Sequence, residues 1–378
     1  MAVLNEEQAM LKDMATEWAR ERMPIASIRS LYAHGGGGAP GDGPGHDPAA
    51  YAEMAEMGWT GIAVPEAYGG VDFGYLSLGL VLEELGRTLA PSPLLSSALV
   101  AASALRLGGS EEQKQRWLPA IADGSLVATL AADEGPHHAP DRMVLAAEPQ
   151  GDSWRLSGAK RPVQDGMGAG LFVVPARTPG GITLFLVSAD TPGLSRHALD
   201  QIDARRPARL DFDGVTLGAD AVLGTVDRGG PLLAAILDRA YVGVSAELLG
   251  LSVQAFETIL DYLRTRVQFG RLIGSFQALQ HRAAEMFGEL QLARSTVEAA
   301  LAAIDANDPD LPALASLAKA TAAETAHHIS REMIQLHGGI GMTHEHDAGL
   351  YLKRARTLEQ AYGSASWHRE RWGRLNGY

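Results

Sequence analysis

The run Arg266-Val-Gln-Phe269-Gly-Arg-Leu-Ile-Gly-Ser-Phe276-Gln277 gathers side chains suited to a phosphorylated, aromatic ligand. Arg266 offers a planar guanidinium that can donate two parallel hydrogen bonds to a phosphate. Phe269 and Phe276 supply aromatic faces, and Gln277 an amide for a phosphate or a nucleobase. Further on stands Gln335-Leu-His-Gly338-Gly339-Ile-Gly341-Met-Thr, whose glycines let backbone N–H groups approach a ligand without Cβ obstruction. Taken singly, each residue has a structural meaning: an arginine on a helix face is usually solvated, and Gly-Gly-x-Gly often just stops a helix. A dinucleotide-fold reading of these glycines is weak, because a long helical pattern and not a strand precedes them.

With Tyr362-Gly363-Ser364 downstream, these motifs resemble, in order and spacing, the acyl-CoA dehydrogenase family. The resemblance extends over nearly the whole chain, through Met57-Gly-Trp-Thr-Gly-Ile-Ala-Val-Pro65-Glu-Ala-Tyr-Gly-Gly70, Glu83-Glu-Leu-Gly-Arg87 and Leu156-Ser-Gly-Ala-Lys160. It implies an α+β multidomain fold with a helical N-terminal domain, a middle β-barrel or sandwich domain and a C-terminal four-helix bundle. It also implies FAD as cofactor, bound by Arg266, Phe269, Phe276, Gln277, Gln335, Gly338, Gly339 and Ser364. In the family the C-terminal residues reach the FAD of a neighbouring subunit, so an oligomer is implied. The implied reaction is α,β-desaturation of an acyl-CoA to a 2-enoyl-CoA, with an external acceptor reoxidising the flavin.

Two departures qualify the resemblance. Where the family often carries Thr-Glu-Pro-x-x-Gly-Ser-Asp against the flavin ring, this chain reads Ala132-Asp133-Glu134-Gly135-Pro136-His137-His138, and the usual Trp-Ile-Thr becomes Pro162-Val163-Gln164. The second concerns the base. Abstraction of an α-proton calls for a carboxylate of moderate pKa, yet the register from Gly339 puts Tyr362 at the family's glutamate position. An ordinary phenol, with a pKa of about 10, stays protonated at neutral pH. Relatives that carry the glutamate on the first bundle helix have it where this chain has Ala240. Glu247 lies two turns further along the same face and is the candidate displaced base, its plainer reading being a solvated or salt-bridged side chain.

The elements that position these residues can be read from periodicity. Residues 5 to 23 set Met10, Leu11, Met14, Ala15, Trp18 and Met23 at helical spacing. A glycine-rich stretch from His34 to Gly45 reads as a loop. A helix is expected over 75–89, and Ser110-Glu-Glu-Gln113 forms a capping-box sequence. From about residue 126, short apolar runs (127–130, 143–146, 154–156, 171–174, 182–187 and 209–212) punctuated by Gly, Pro and Asp predict strands. After Gly229-Gly230-Pro231, three long helical segments (232–265, 275–306 and 311–337) and two shorter ones follow. The expected domains are 1–124, 125–229 and 230–378.

A net charge of −13 argues against nucleic acid, though a local arginine can still hold an anion. With no cysteine, disulfides and thiolate metal sites are excluded. His344-Glu-His346-Asp347 has metal-ligand residue types at a spacing matching no zinc signature, and His327-His328 and His137-His138 read as surface or core histidines. Arg354 and Lys353 read as solvent-facing, or as partners for the helix bearing Tyr362. The start of the chain lacks a signal-like pattern and no apolar run is long enough for a bilayer, which predicts a cytoplasmic protein without a membrane span.

These readings combine into one expectation: a subunit of an FAD-dependent acyl-CoA dehydrogenase that completes the cofactor site of a homologous partner subunit in a heterotetramer. A bulky acyl-CoA of the sterol side-chain type is the expected substrate. The alternatives are a self-sufficient homo-oligomer using Glu247, and a scaffold subunit that binds no flavin.

Overall fold

The computed structural model describes residues 4–33 and 43–378. Most of the expected glycine-rich loop, residues 34–42, lies outside the described residues. The helices are α1 (Glu6–Arg22), α2 (Ile25–Ala33), α3 (Pro48–Glu56), α4 (Gly74–Arg87), α5 (Ala102–Gly108), α6 (Glu111–Ala122), α7 (Gly229–Thr265), α8 (Gln277–Asp305), α9 (Leu311–His337), α10 (Ala348–Gln360) and α11 (Ala365–Leu375). The strands are β1 (Ala128–Leu130), β2 (Ala146–Gln150), β3 (Ser153–Val163), β4 (Leu171–Thr178), β5 (Gly181–Ser188), β6 (Leu194–Ala198), β7 (Ala208–Gly218), β8 (Val222–Leu223), β9 (Val267–Gln268) and β10 (Arg271–Leu272). Among the described residues no helix is long and apolar enough to cross a membrane.

Two compact units emerge. One comprises Met1–Ser30, Gly79–Ala90 and Tyr241–Tyr378; the other comprises Leu31–Leu78 and Pro91–Ala240. Residues 79–90 thus group with the C-terminal helices, a division that crosses the expected domain limits.

In the helical unit, α1 starts on a capping box between Asn5 and Gln8, with Glu6 and Glu7 in the first turn and Arg20 and Arg22 in the last, as the helix dipole favours. Its buried face is narrower than the apolar spacing suggests. Ala15, Ala19 and Met23 are buried while Met10 and Met14 are exposed. The motif Glu83-Glu-Leu-Gly-Arg87 proves to be a packing device. Gly86 abuts the backbone of Glu247, and Gly250 abuts the backbone of Glu83. A Cβ on Gly250 would lie 1.8 Å from the Glu83 carbonyl oxygen, and one on Gly86 2.3 Å from that of Glu247. The reciprocal glycines let two helices touch backbone to backbone. Buried Glu83 then accepts from Lys12 at 3.2 Å and pairs with Arg294 at 2.9 Å, tying α1 and α8 to the same crossing. Burial raises the Glu84 carboxyl above the usual range, with Arg87 opposing.

The other unit holds one eight-stranded sheet in the order β6-β7-β3-β2-β4-β5-β8, with β1 also paired to β4. β4 pairs antiparallel with β5 from Leu171↔Ser188 to Thr178↔Gly181 and parallel with β1 and β2. Its position between neighbours explains why it reads as a continuous apolar run and not an alternating one. Residues 143–145, expected as extended, precede β2 instead of belonging to it, and β6 carried no apolar signal because its residues are mostly exposed. The Ser110–Gln113 capping box forms in both directions and starts α6.

Candidate functional site

Arg266 to Phe276 form a hairpin at the end of α7. β9 and β10 pair antiparallel around Phe269 and Gly270, whose φ angles are +53° and +76°. A two-residue turn with both φ positive matches strand twist and is normally filled by Asn, Asp or Gly. Gly270 fits; Phe269 occupies a conformation that bulky residues avoid. It does so with its side chain 90% exposed, so no core packing explains its choice. Phe276 meets Phe269 edge to face at 6.1 Å and carries the Arg271 guanidinium 4.1 Å over its ring. Arg266 and Gln277 are exposed, and the Arg266 guanidinium has no partner among the described residues.

The glycine motif caps α9, and the structure separates its three glycines by cause. Gly341 is required by packing, since a Cβ would sit 2.6 Å from the Ile334 carbonyl oxygen. Gly338 is required by its backbone, with φ +62° and ψ −136°. Gly339 meets neither demand: a Cβ there finds nothing within 4 Å and its φ is ordinary. The fold therefore does not account for Gly339, whereas a ligand approaching its backbone would. Gln335 is exposed one turn earlier.

Tyr262 and His337, which sequence reasoning missed, bring the two motifs together. Their rings lie 4.3 Å apart, and the tyrosine hydroxyl donates to the His337 carbonyl at 3.5 Å. His337 also stacks on His346 at 4.2 Å. Burial is the main cause holding both imidazoles below their ordinary pKa, so the stack is neutral at pH 7. Arg29 clamps the following loop through Asp347 and the carbonyls of His344 and Glu345. Among the described residues no three potential metal-ligating side chains converge. Val267, Phe269, Ile340 and Met342 are exposed around these motifs, an apolar grouping typical of an interaction surface.

The third motif lies on the turn between α10 and α11. Tyr362 (φ +55°) and Gly363 (φ +107°) are both left-handed, and Ser364 caps α11 by accepting from the Trp367 amide at 3.3 Å. Ser364 lines a cavity of ≈ 670 Å³ together with Ser366, Thr321, His327, Arg356 and Glu359. Arg356 donates to Glu359 at 2.8 Å and also contacts His327, leaving Glu359 Oε1 buried without a hydrogen-bond partner. Beneath the turn lies Lys319, whose amine donates to the carbonyls of Glu359 and Gly363 at 3.2 and 3.0 Å. Burial pulls its pKa from 10.5 down to about 7. Between those values the unfolded chain binds a proton that the native amine does not. This group therefore makes stability rise as pH climbs from 7 to 10.5. Lys319→Met is expected to remove that part of the slope, as measured by denaturant unfolding at pH 7 and pH 9.

Glu247 is placed differently from the expectation for a base. It is buried on α7, and its Oε1 accepts from Arg354 Nε at 2.9 Å and from a terminal guanidinium nitrogen at 2.6 Å. Arg354, read from sequence as solvent-facing or as a partner for the helix bearing Tyr362, is itself buried and pairs with Glu247 on α7. With Oε1 engaged by two guanidinium N–H groups, this side chain is committed to an ion pair and is not a free carboxylate. Tyr362 is 6% exposed, and its carbonyl accepts from His368 Nε2 at 3.0 Å.

In the β unit, the segment departing from the family pattern is closed on itself. Glu134 accepts from the Lys160 amine at 2.7 Å and from the amides of Val144 and Leu145, and Asp133 pairs with His138 at 2.8 Å. Burial opposes ionisation of Glu134, but Lys160 and the two amides outweigh it and hold the carboxyl below the usual range. Burial also depresses the Lys160 ammonium, which Glu134 partly offsets. Its polar groups are thereby spent on neighbours.

FAD, the group implied by the resemblance, is a pyrophosphate with an adenine at one end. The helical unit fits it: an unpartnered guanidinium, an exposed aromatic ring, an exposed amide and an unobstructed glycine backbone surround one junction.

Known proteins resemble this chain in sequence and in fold. Residues 5–125 match the acyl-CoA dehydrogenase N-terminal domain and residues 227–375 the acyl-CoA dehydrogenase C-terminal domain. Acyl-CoA dehydrogenase FadE27 of Mycobacterium tuberculosis is 31% identical over 335 residues, covering 86% of this chain and 87% of the relative. Among solved structures, the ChsE4-ChsE5 complex from Mycobacterium tuberculosis superposes with a TM-score of 0.89 at 28% identity, covering 100% of both chains. A variant of the Tcur3481-Tcur3483 steroid ACAD gives 0.87 at 32% identity, covering 98% of each.

Proposed function

The chain belongs to the acyl-CoA dehydrogenase family of FAD-dependent oxidoreductases, and we propose that it is the cofactor-completing subunit of a heteromeric member. In that role it joins a homologous subunit that supplies the catalytic base and the flavin-ring contacts. The assembly would convert a bulky acyl-CoA, of the sterol side-chain type, to its 2-enoyl-CoA. Bound FAD would supply the acceptor for the hydride leaving the β-carbon. This chain's own residues bind and orient. Arg266 would neutralise a phosphate, Phe269 and Phe276 pack on the cofactor, Gln277 and Gln335 supply amide contacts, and the amides around Gly338 and Gly339 approach from one side. Ser364 would offer its hydroxyl from the N-terminus of α11.

One contrast carries the reading: Arg266, Phe269, Gln277, Gln335, Gly338 and Gly339 stand exposed, with Phe276 and Ser364 half-buried, whereas no free carboxylate stands at either family base position. Tyr362 occupies one position, and Ala240 the other; the displaced candidate, Glu247, is held by Arg354. The ChsE4-ChsE5 complex and the Tcur3481-Tcur3483 steroid ACAD, both similar to this chain, support a two-chain assembly and a bulky substrate.

The test is to purify the chain alone and with a family member that carries the glutamate. Colourless protein alone and a yellow, desaturating complex are expected. A yellow protein that turns over by itself would favour the self-sufficient homo-oligomer. Absence of flavin even in the complex would favour a scaffold subunit.

Two substitutions probe the grip within that complex. Arg266→Ala removes a charge-assisted contact of about 1.5–3 kcal/mol, expected as roughly 10- to 100-fold weaker FAD binding by fluorescence titration. Gly339→Val meets open space in the chain, so its melting temperature should match the wild type while flavin is lost.

A further inference from the structure

The most fully buried polar side chains of the helical unit include two that end on one turn. Lys319 on α9 and His368 on α11 are both 0% exposed. His368 Nε2 donates to the Tyr362 carbonyl at 3.0 Å, and Lys319 donates to the next carbonyl, that of Gly363, at 3.0 Å. Each donor is itself fixed. Lys319 also donates to the Glu359 carbonyl in the last turn of α10, one of the carbonyls that a helix end leaves without an intrahelical partner. The His368 ring packs on Tyr241 at 4.5 Å and Trp367 at 4.7 Å, with Nδ1 3.4 Å from Ser316 Oγ. Burying an amine and an imidazole is costly unless their hydrogen bonds are needed. Here they oppose a specific strain, because Tyr362 is a bulky residue in the left-handed region. A non-glycine residue remains in such a conformation only where its surroundings over-determine it.

We propose that Lys319 and His368 are positioning residues that hold the Tyr362–Gly363–Ser364 turn left-handed, and through it keep the Ser364 hydroxyl at the wall of the ≈ 670 Å³ cavity. Neither residue lines that cavity. The consequence for cofactor retention rests on the reading above in which Ser364 faces FAD; the consequence for the turn does not.

Two variants separate the effects. Lys319→Met keeps an unbranched apolar stem one atom shorter and removes its donors; His368→Phe keeps the ring packing and removes the donor to Tyr362. Amide hydrogen exchange on the chain alone is expected to speed up by roughly tenfold or more over residues 361–367, the effect of leaving one buried carbonyl unpaired. Exchange within α7 and α8 should not change. If Lys319→Met does not fold, Lys319→Ala is measured with and without propylamine, whose ammonium should restore protection. Unchanged exchange over 361–367 in both lysine and histidine variants overturns the proposal. Flavin content is read separately on the two-chain complex and should fall in both variants. Faster exchange with undiminished flavin overturns the link to the cofactor. A wild-type complex without flavin overturns the functional reading and that link together, while exchange still decides the role of the two residues on the turn.

Discussion

Glu247→Ala is expected to lower the unfolding free energy of the chain by about 3–5 kcal/mol, because it removes one member of a buried ion pair and leaves the desolvation cost of the Arg354 guanidinium in place. The two side chains are 8% and 10% exposed, so water cannot take over the lost contact. The double variant Glu247→Leu/Arg354→Met should recover most of that loss, since well-packed apolar replacements of a buried ion pair are often neutral. Activity of the two-chain complex separates this structural role from catalysis. A proton acceptor contributes about 10²- to 10⁴-fold to rate. If the double variant is folded and its complex still turns over within a few-fold of wild type, Glu247 is not the base. A loss of that full magnitude in a stable double variant would restore it to that role.

Gly250→Ala should be comparably damaging, on the order of 3 kcal/mol or more. The added methyl would lie 1.8 Å from the Glu83 carbonyl oxygen, a backbone atom that cannot swing aside. The crossing would have to open, loosening Lys12 and Arg294 from Glu83 and shifting the helix that carries Glu247. Gly288→Ala in α8 is the control. Its Cβ meets nothing within 4 Å, so replacing a helix-interior glycine should stabilise the chain by up to about 1 kcal/mol. Chemical denaturation of both variants checks the pair. Equal effects would show that helix propensity, not the backbone contact, sets the Gly250 requirement.

Much of the architecture was legible in the amino-acid sequence because it follows from local chemistry. The helix stops at 270–275 and 338–341, the capping box at Ser110 and the apolar runs of β4 and β5 depend on neighbours a few residues away. The motifs holding Arg266, Phe269 and Gly339 were legible as a set because their order and spacing resemble the family's. Strand β6 was not, because an exposed edge carries no apolar signal. Nor was the buried face of α1, because which residues of an apolar stripe reach the core depends on what packs against it.

Residue order alone set the succession of elements, a group of side chains of types suited to a phosphate and an aromatic ligand, and the tyrosine at position 362. The tertiary structure decided what each charged group is for. It placed Arg354 on Glu247, Lys319 under the Gly363 carbonyl and Lys160 on Glu134. These partners are separated by tens of residues or more, and burial changes the meaning of a charge: in water a carboxylate is a free acceptor, whereas in an interior it must be paired. That pairing is a property of three-dimensional neighbours, which periodicity and spacing cannot supply.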